Sequence, residues 1–366
     1  MPVSTLALAL LAAPQQATGS PLDLSAARVA AILKPYVDEH PYAAVTVGVS
    51  TPTGRAVQGF GSVRPAAEPT AAPDGRTIYE LGSVTKAVTG LAFARLIQAG
   101  AVAETDLASD RLPAELSPPV WTNKQGERRP ITLRQLATHT SGLPVQPGGL
   151  GLFALFRGDV SDPYGAYTTE YLSKTLAKTP PEPPGTFRYS NLGVGLLGHA
   201  LAQADSGDAT AVPELVQTRI ARPLGLSDLG FALSEDQATR FPSPHRAGGE
   251  STTPWTFGSL GACGGLRGTA NDLLTLAEAC LGRGPVDLSG AFTEASRVRF
   301  EDEETRVGLC WFTTATDAGP LVWHNGGTYG SRSFFGLLPE RGVAVVVLSN
   351  SGASVDRPAR RLLSRD

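Results

Sequence analysis

AAVTVGVSTPTGRAVQGFGSV, residues 43–63, is rich in small and β-branched residues and is broken once, at Pro52-Thr53-Gly54. Two such runs about a short turn predict a β-hairpin. The last hundred residues hold matching material: VGLCWFTTA (307–315), GPLVWHNGG (319–327), SRSFFGLLPE (331–340) and GVAVVVLSN (342–350), each bounded by Gly, Pro, Asn or Asp. These predict further strands. Between the two groups lie helical patterns and Pro/Gly-rich loops, preceded by a helical lead, LSAARVAAILKPYVDEH (24–40). Strands at both ends with helices between them bring the termini into one antiparallel sheet. The expected fold class is therefore α/β (α+β), with one domain over 25–360. Its sheet lobe would take about 25–90 plus 255–360, its inserted helical lobe about 91–254, and a cleft would lie where the two meet.

Bulk features limit what such a domain does. The chain has 366 residues, 42% hydrophobic and 18% charged, with a formal net charge of -3. That is an ordinary globular composition with a sizeable core. No run of Lys or Arg would track a phosphate backbone, so nucleic acid is not an expected partner. Cys263, Cys280 and Cys310 cannot all pair within one chain and form no C-x-x-C, which leaves room for one bridge at most. The five histidines are scattered, so neither metal nor cofactor is expected.

The first 25 residues, MPVSTLALALLAAPQQATGSPLDLS, hold an apolar run of signal-peptide length followed by small and polar residues. Residues 1–20 are therefore expected to act as a signal peptide, with export to the periplasm or the medium. No basic residue precedes Arg28, so a disordered tail on a cytoplasmic protein is the alternative. No later stretch reaches the roughly 18 apolar residues of a spanning helix.

Three short segments carry chemistry. In the first, Gly82-Ser83-Val84-Thr85-Lys86, a serine and a lysine stand three apart before AVTGLAFARLIQAG (87–100), a nearly all-apolar helical run ending at Gly100. Such a helix is buried. Ser83 would sit at its N-terminus, where free N–H groups favour developing negative charge, with Lys86 on the same face. A serine that only caps the helix, beside a solvated lysine, is the plain alternative.

The second segment, PPEPPGTFRYSNLGVGLLGHALAQA (180–204), places Tyr189 and Asn191 before another apolar helix. In an extended segment both point the same way. A phenol near an ammonium can relay protons to a serine, and the Asn191 carboxamide can hold a substrate amide or the lysine. In the third, GPLVWHNGGTYGSRSFFG (319–336), a strand runs into His324-Asn325-Gly326-Gly327. Two glycines leave an edge against which a substrate can lie, and the Gly327 N–H can pair with that of Ser83 as an oxyanion hole.

The ordered set Ser83-Val84-Thr85-Lys86, Tyr189-Ser190-Asn191 and His324-Asn325-Gly326 resembles the serine β-lactamase and penicillin-binding superfamily, in the branch of class C β-lactamases, DD-peptidases and related esterases. ITLRQLATHTSGLP (131–144), IARPLGLSDLGF (220–231) and GACGGLRGTANDLLTLA (261–277) are similar too, and the resemblance runs from about residue 25 onward. It implies a β-lactamase/transpeptidase-like fold and cleavage of an amide or ester through an acyl-Ser83 intermediate. Lys86 and Tyr189 would handle the protons, Asn191 would bind the substrate amide, and His324 would take the place of the third motif's basic residue. The implied substrates are D-amino-acid peptides, β-lactams or esters.

Two departures matter. His324 stands where β-lactamases carry lysine, and Asn325 stands where they carry Thr or Ser. A histidine near its reference pKa of about 6.5 is largely neutral at pH 7 and clamps a carboxylate less firmly. This favours a DD-peptidase-like or esterase-like activity over efficient antibiotic hydrolysis, with an acidic limb in the rate near the pKa of His324. A catalytically weak penicillin- or peptidoglycan-peptide-binding protein is the alternative. His139 reads as part of a helix end, Thr269 and Asp272 as a helix cap, and Cys263 as a small buried residue.

Overall fold

The computed structural model describes residues 22–63, 71–146, 148, 161–165 and 167–365. The apolar run at the N-terminus, on which the expectation of export rests, lies outside these residues. So does most of the loop VQPGGLGLFALFRGDVSDPYG (145–165), expected to carry substrate choice.

The hairpin forms as read. Strands β1 (Ala44–Thr51) and β2 (Gly54–Gly61) pair antiparallel from Ala44↔Gly61 to Thr51↔Gly54, which leaves Pro52 and Thr53 to turn the chain. The other side of β1 pairs with the last strand, β12 (Val343–Ser349), in the register Val45↔Ser349. The two ends of the chain thus meet one strand in from the β2 edge of an eight-stranded antiparallel sheet ordered β2-β1-β12-β11-β10-β9-β8-β7. Its remaining strands are β7 (Phe300–Glu301), β8 (Arg306–Val307), β9 (Phe312–Thr316), β10 (Gly319–Gly327) and β11 (Arg332–Leu338). Two small ribbons complete the strands: β3 (Ile78–Glu80) with β6 (Arg267–Thr269), and β4 (Trp121–Thr122) with β5 (Arg128–Arg129).

The longer helices are α1 (Ala26–Glu39), α2 (Val84–Gln98), α3 (Thr169–Leu176), α4 (Asn191–Ser206), α5 (Ala270–Cys280), α6 (Ser289–Ser296) and α7 (Asp356–Leu362). Because side chains alternate along a strand, the two faces of β1 serve two cores. Val45, Val47 and Val49 pack with Val29, Ile32 and Leu33 of α1 and Ala359 and Leu362 of α7. The opposite face turns toward the larger core, which holds most of α2, α4 and α5. Thr269 opens α5 as read: its Oγ1 accepts from the Asp272 N–H at 3.1 Å and donates to Asp272 Oδ2 at 2.8 Å.

One strand departs from expectation. Residues 307–315 read as a single strand, yet the chain breaks between β8 and β9. Cys310 adopts φ 60°, its N–H donates to Ala137 O at 3.1 Å, and the Leu309 N–H donates to Ala295 O at 2.7 Å. The excursion buries Leu309, Cys310 and Trp311 completely. Burial of large apolar surface outweighs the few ladder bonds that a continuous strand would have made. All three cysteines are free and buried, so the one bridge that the sequence left open does not form. No helix among the described residues is long and apolar enough to cross a membrane.

Candidate active site

β3 delivers the chain to Gly82, whose φ of 49° turns it into α2. A Cβ at Gly82 would lie 2.5 Å from the Gly327 nitrogen, so the position needs glycine for its conformation and for the close approach of β10. Ser83 is the residue before the first turn of α2, and its side chain makes no capping bond. Its hydroxyl instead lies 3.0 Å from Lys86 Nζ. Lys86 is fully buried, and its Nζ also donates to Asn191 Oδ1 at 2.7 Å and to Cys263 O at 2.6 Å. Three acceptors therefore match the three N–H groups of an ammonium. Neither half of the plain alternative holds: the serine does not cap and the lysine is not solvated.

Tyr189 and Asn191 flank Ser190, whose φ of -136° and ψ of 111° are extended, so both side chains reach the same space. Ser190 caps α4 by accepting from the Gly193 N–H at 2.8 Å, and it donates to Pro144 O at 2.7 Å. The Tyr189 ring centroid lies 4.8 Å from Lys86 Nζ. The Asn191 carboxamide is committed at both ends, accepting from Lys86 and donating to the Tyr164 hydroxyl at 3.0 Å. The lysine is one of the two partners that the sequence left open for it. His139, at φ 59°, stacks on Tyr189 at 4.4 Å, and its Nδ1 accepts from the Ser190 N–H at 3.0 Å. It braces the segment that carries Tyr189.

β10 supplies the opposite wall. β9 accompanies it only as far as Trp323, opposite Phe312, so from His324 to Gly327 that edge carries no ladder partner among the described residues. The Thr328 N–H donates to Ser331 O at 3.0 Å; by the alternation of strand donors, the Gly327 N–H points away from β11 and toward Gly82-Ser83. A Cβ on Gly326 would fall 2.1 Å from Leu81 O and 2.8 Å from Ser83 N, so only glycine lets the two segments touch. Asn325 turns to the other face, where its Nδ2 donates to Asp356 Oδ2 at 2.7 Å. The resulting cavity, about 410 Å³, is walled by Ser83, Tyr189, Trp255, Gly327, Tyr329 and Arg332 among others.

His324 lies behind that wall, 1% exposed, with Nδ1 2.6 Å from Asn325 O. Burial, then the charge of Lys86, lowers its pKa to about 3. The expectation that His324 titrates near 6.5 and gives the rate an acidic limb there is therefore corrected: desolvation keeps the ring neutral.

The sequence profile of the Beta-lactamase family matches residues 29–366. The chain belongs to the beta-lactamase family. Among curated relatives, the D-alanyl-D-alanine-carboxypeptidase/endopeptidase AmpH of Escherichia coli (strain K12) is 28% identical over 314 residues, 81% of this chain and 77% of that protein. Esterase EstB of Burkholderia gladioli is 26% identical over 320 residues, covering 75% and 78%. A class C beta lactamase from Rhodobacter sphaeroides superposes with a TM-score of 0.74 at 24% identity, over 92% of this chain and 97% of that one. A Beta-lactamase/D-alanine Carboxypeptidase from Yersinia pestis gives 0.73 at 22% identity, over 93% and 97%. The fold is class C beta-lactamase-like, and the family and relatives indicate a serine hydrolase of the beta-lactamase type.

For this member of the beta-lactamase family, the buried histidines have a measurable consequence. The His139 pKa is also held well below its usual 6.5, by burial first and then by Lys86 and His324. Below about pH 6.5 the unfolded chain binds protons at both positions and the folded protein does not, so stability falls as pH falls. The slope is about 1.4 kcal/mol per pH unit per histidine, ending near pH 3 for His324. Urea unfolding at pH 7, 6 and 5 should show the His324 contribution as the difference between wild type and H324N, with stability falling more steeply in the wild type by about 1.4 kcal/mol per pH unit. A slope unchanged in H324N would mean that His324 ionises in the folded state.

Sequence reasoning missed Tyr164, Trp255, Tyr329, Arg332 and Glu80. Only Glu80 left a trace, as a charge inside the apolar run Ile78-Tyr79-Glu80-Leu81.

Proposed function

We propose that this protein cleaves an amide or ester bond through an acyl-Ser83 intermediate, with D-alanyl-peptide or ester substrates in preference to efficient β-lactam turnover. The observation that carries this reading is Lys86 Nζ, 3.0 Å from Ser83 Oγ, beneath a bare strand edge that turns the Gly327 N–H toward the same serine. Lys86 and Tyr189 are the pair that takes the hydroxyl proton as Oγ attacks the carbonyl carbon. The N–H groups of Ser83 and Gly327 face the oxyanion that forms. Collapse returns the proton to the leaving group, and water then repeats the sequence on the acyl-enzyme. The relatives named as a carboxypeptidase and an esterase support this substrate range.

His324, neutral and enclosed, is a poor anchor for a substrate carboxylate. Among the described residues lining the cavity, the positive charge is Arg332, whose Nη1 donates to Thr328 O and, at 3.0 Å, to Ser331 O. Its guanidinium lies across Gly327, where a Cβ would come within 2.5 Å of Nη1. A charge-assisted bond to a leaving-group carboxylate contributes about 1.5–3 kcal/mol. R332Q should therefore lower kcat/KM for a peptide ending in D-alanyl-D-alanine by roughly 10–100-fold and leave p-nitrophenyl butyrate within about twofold. Equal losses on both would make Arg332 a support of the turn only.

The reading itself is tested by intact-protein mass spectrometry after incubation with a fluorescent penicillin and, separately, with p-nitrophenyl butyrate. An adduct that forms and decays supports a hydrolase. A lasting penicillin adduct without ester turnover would favour the binding-protein alternative.

A further inference from the structure

Glu80 is a carboxylate, 3% exposed, at the end of β3 and three residues before Ser83. Charged groups of this kind are rarely buried unless their hydrogen bonds are complete. One oxygen accepts from the Trp255 N–H at 2.6 Å. The other accepts from Thr328 Oγ1 and Ser331 Oγ, each at 3.1 Å. Those two hydroxyls stand at the two ends of the turn that follows Gly327, closed by the Thr328 N–H to Ser331 O bond. Arg267, opposite Glu80 in the β3/β6 ribbon, donates to Trp255 O at 3.1 Å. The Trp255 backbone is therefore held on one side, at its N–H, by Glu80 and on the other, at its carbonyl, by Arg267. Trp255 in turn meets Tyr329 edge to face at 4.7 Å across the cavity wall.

A single buried group thus joins three segments: the one that carries the Ser83 N–H, the one that carries the Gly327 N–H, and the one that carries Trp255. The bond from Ser333 Oγ to Leu81 O, 2.6 Å, runs beside it between the same two backbones. An oxyanion hole needs its two donors within about 2.7–3.1 Å of one oxygen position, and a displacement of about 1 Å can cost on the order of 10²-fold in rate. We propose that Glu80 is a positioning residue that sets the separation of the Ser83 and Gly327 N–H groups, and so the oxyanion hole, by tying β3 to the turn after β10. The proposal rests on the reading of Ser83 as the acylated nucleophile.

Glu80→Gln keeps the shape and the acceptor for Trp255 but replaces two charge-assisted bonds by neutral ones in which the NH2 group must donate to hydroxyls that have turned round, so the tie to the turn is weakened. The decisive readout is the ratio of kcat/KM for an oxoester to that for its thionoester, because sulfur is larger, accepts weakly and gains little from a hole built for oxygen. E80Q should lower kcat for the oxoester roughly 10–100-fold, leave KM within about threefold, and cut the oxo/thiono ratio about tenfold. The double variant T328V/S331A, which removes the other end of the tie, should lower the ratio similarly. Combining the two should add little, as for residues acting as one unit. Glu80→Asp, one methylene shorter, should recover part of the ratio if its carboxylate again reaches the turn.

Equal losses on oxo- and thionoester, a rise in KM at constant kcat, or losses that multiply in the combined variant would overturn the proposal. If E80Q does not fold, as circular dichroism would show, the ratio in T328V/S331A alone decides. Failure of the underlying reading looks different: an S83A protein would still be acylated, whatever Glu80 does.

Discussion

Replacing Ser83 by alanine should abolish covalent labelling and lower turnover by a factor on the order of 10⁵–10⁶, the scale expected when an acylated nucleophile is removed. Stability should barely move. An N-cap serine changed to alanine ordinarily costs about 1 kcal/mol, but the Ser83 side chain makes no capping bond; what is lost is its 3.0 Å bond with Lys86 Nζ, and a water in the cavity that Ser83 lines can take the place of Oγ there. The pair of results is diagnostic: a large kinetic loss with an unchanged urea midpoint assigns the hydroxyl to chemistry. Retained turnover in S83A would end the acyl-serine reading.

The second large effect is expected at Lys86. Lys86→Met fills nearly the same volume but leaves Ser83 Oγ, Asn191 Oδ1 and Cys263 O without their donor. Each buried acceptor left unpaired costs about 1–3 kcal/mol, offset in part because a buried charge has also been removed. A net loss of about 1–3 kcal/mol is the expected balance. The rate of acylation should fall on the order of 10³–10⁴-fold, the scale expected when one member of a proton-handling pair is lost. Stopped-flow measurement of nitrophenol release checks this. Acylation within tenfold of the wild type would leave Tyr189 as the sole proton acceptor.

Much of this arrangement is written locally. Small and β-branched residues around Pro52-Thr53-Gly54 predict the hairpin, and the apolar run from Val84 to Gly100 predicts a buried helix; both depend on residues adjacent in the chain. The Ser83, Lys86 and Asn191 cluster was legible because turn spacing and strand alternation fix which way neighbouring side chains point. What escaped depends on elements far apart in sequence. His324 reads as an ordinary titrating residue until the surrounding core deprives it of water and the charge of Lys86 opposes its ionisation. Residues 307–315 read as one strand because nothing in them shows that Ala137 and Ala295 will accept their N–H groups. Glu80 looks misplaced in an apolar run, and its three partners lie 175, 248 and 251 residues away.

The pairing of β1 with β12 sets the order in which this molecule can assemble. β1, one strand in from the edge, finds its second neighbour only when residues 343–349 have been synthesised, so the loop to be closed spans residues 52–342. Closure over such a distance delays folding, because long-range contacts stabilise only after their entropy cost has been met. A nascent chain that has already made Ser83, Lys86 and Tyr189 still lacks the Gly327 edge and the strand that completes the sheet behind it. Any fragment ending before β12 should remain unfolded and unreactive, so that the candidate site is completed only after residues 343–349 have been made.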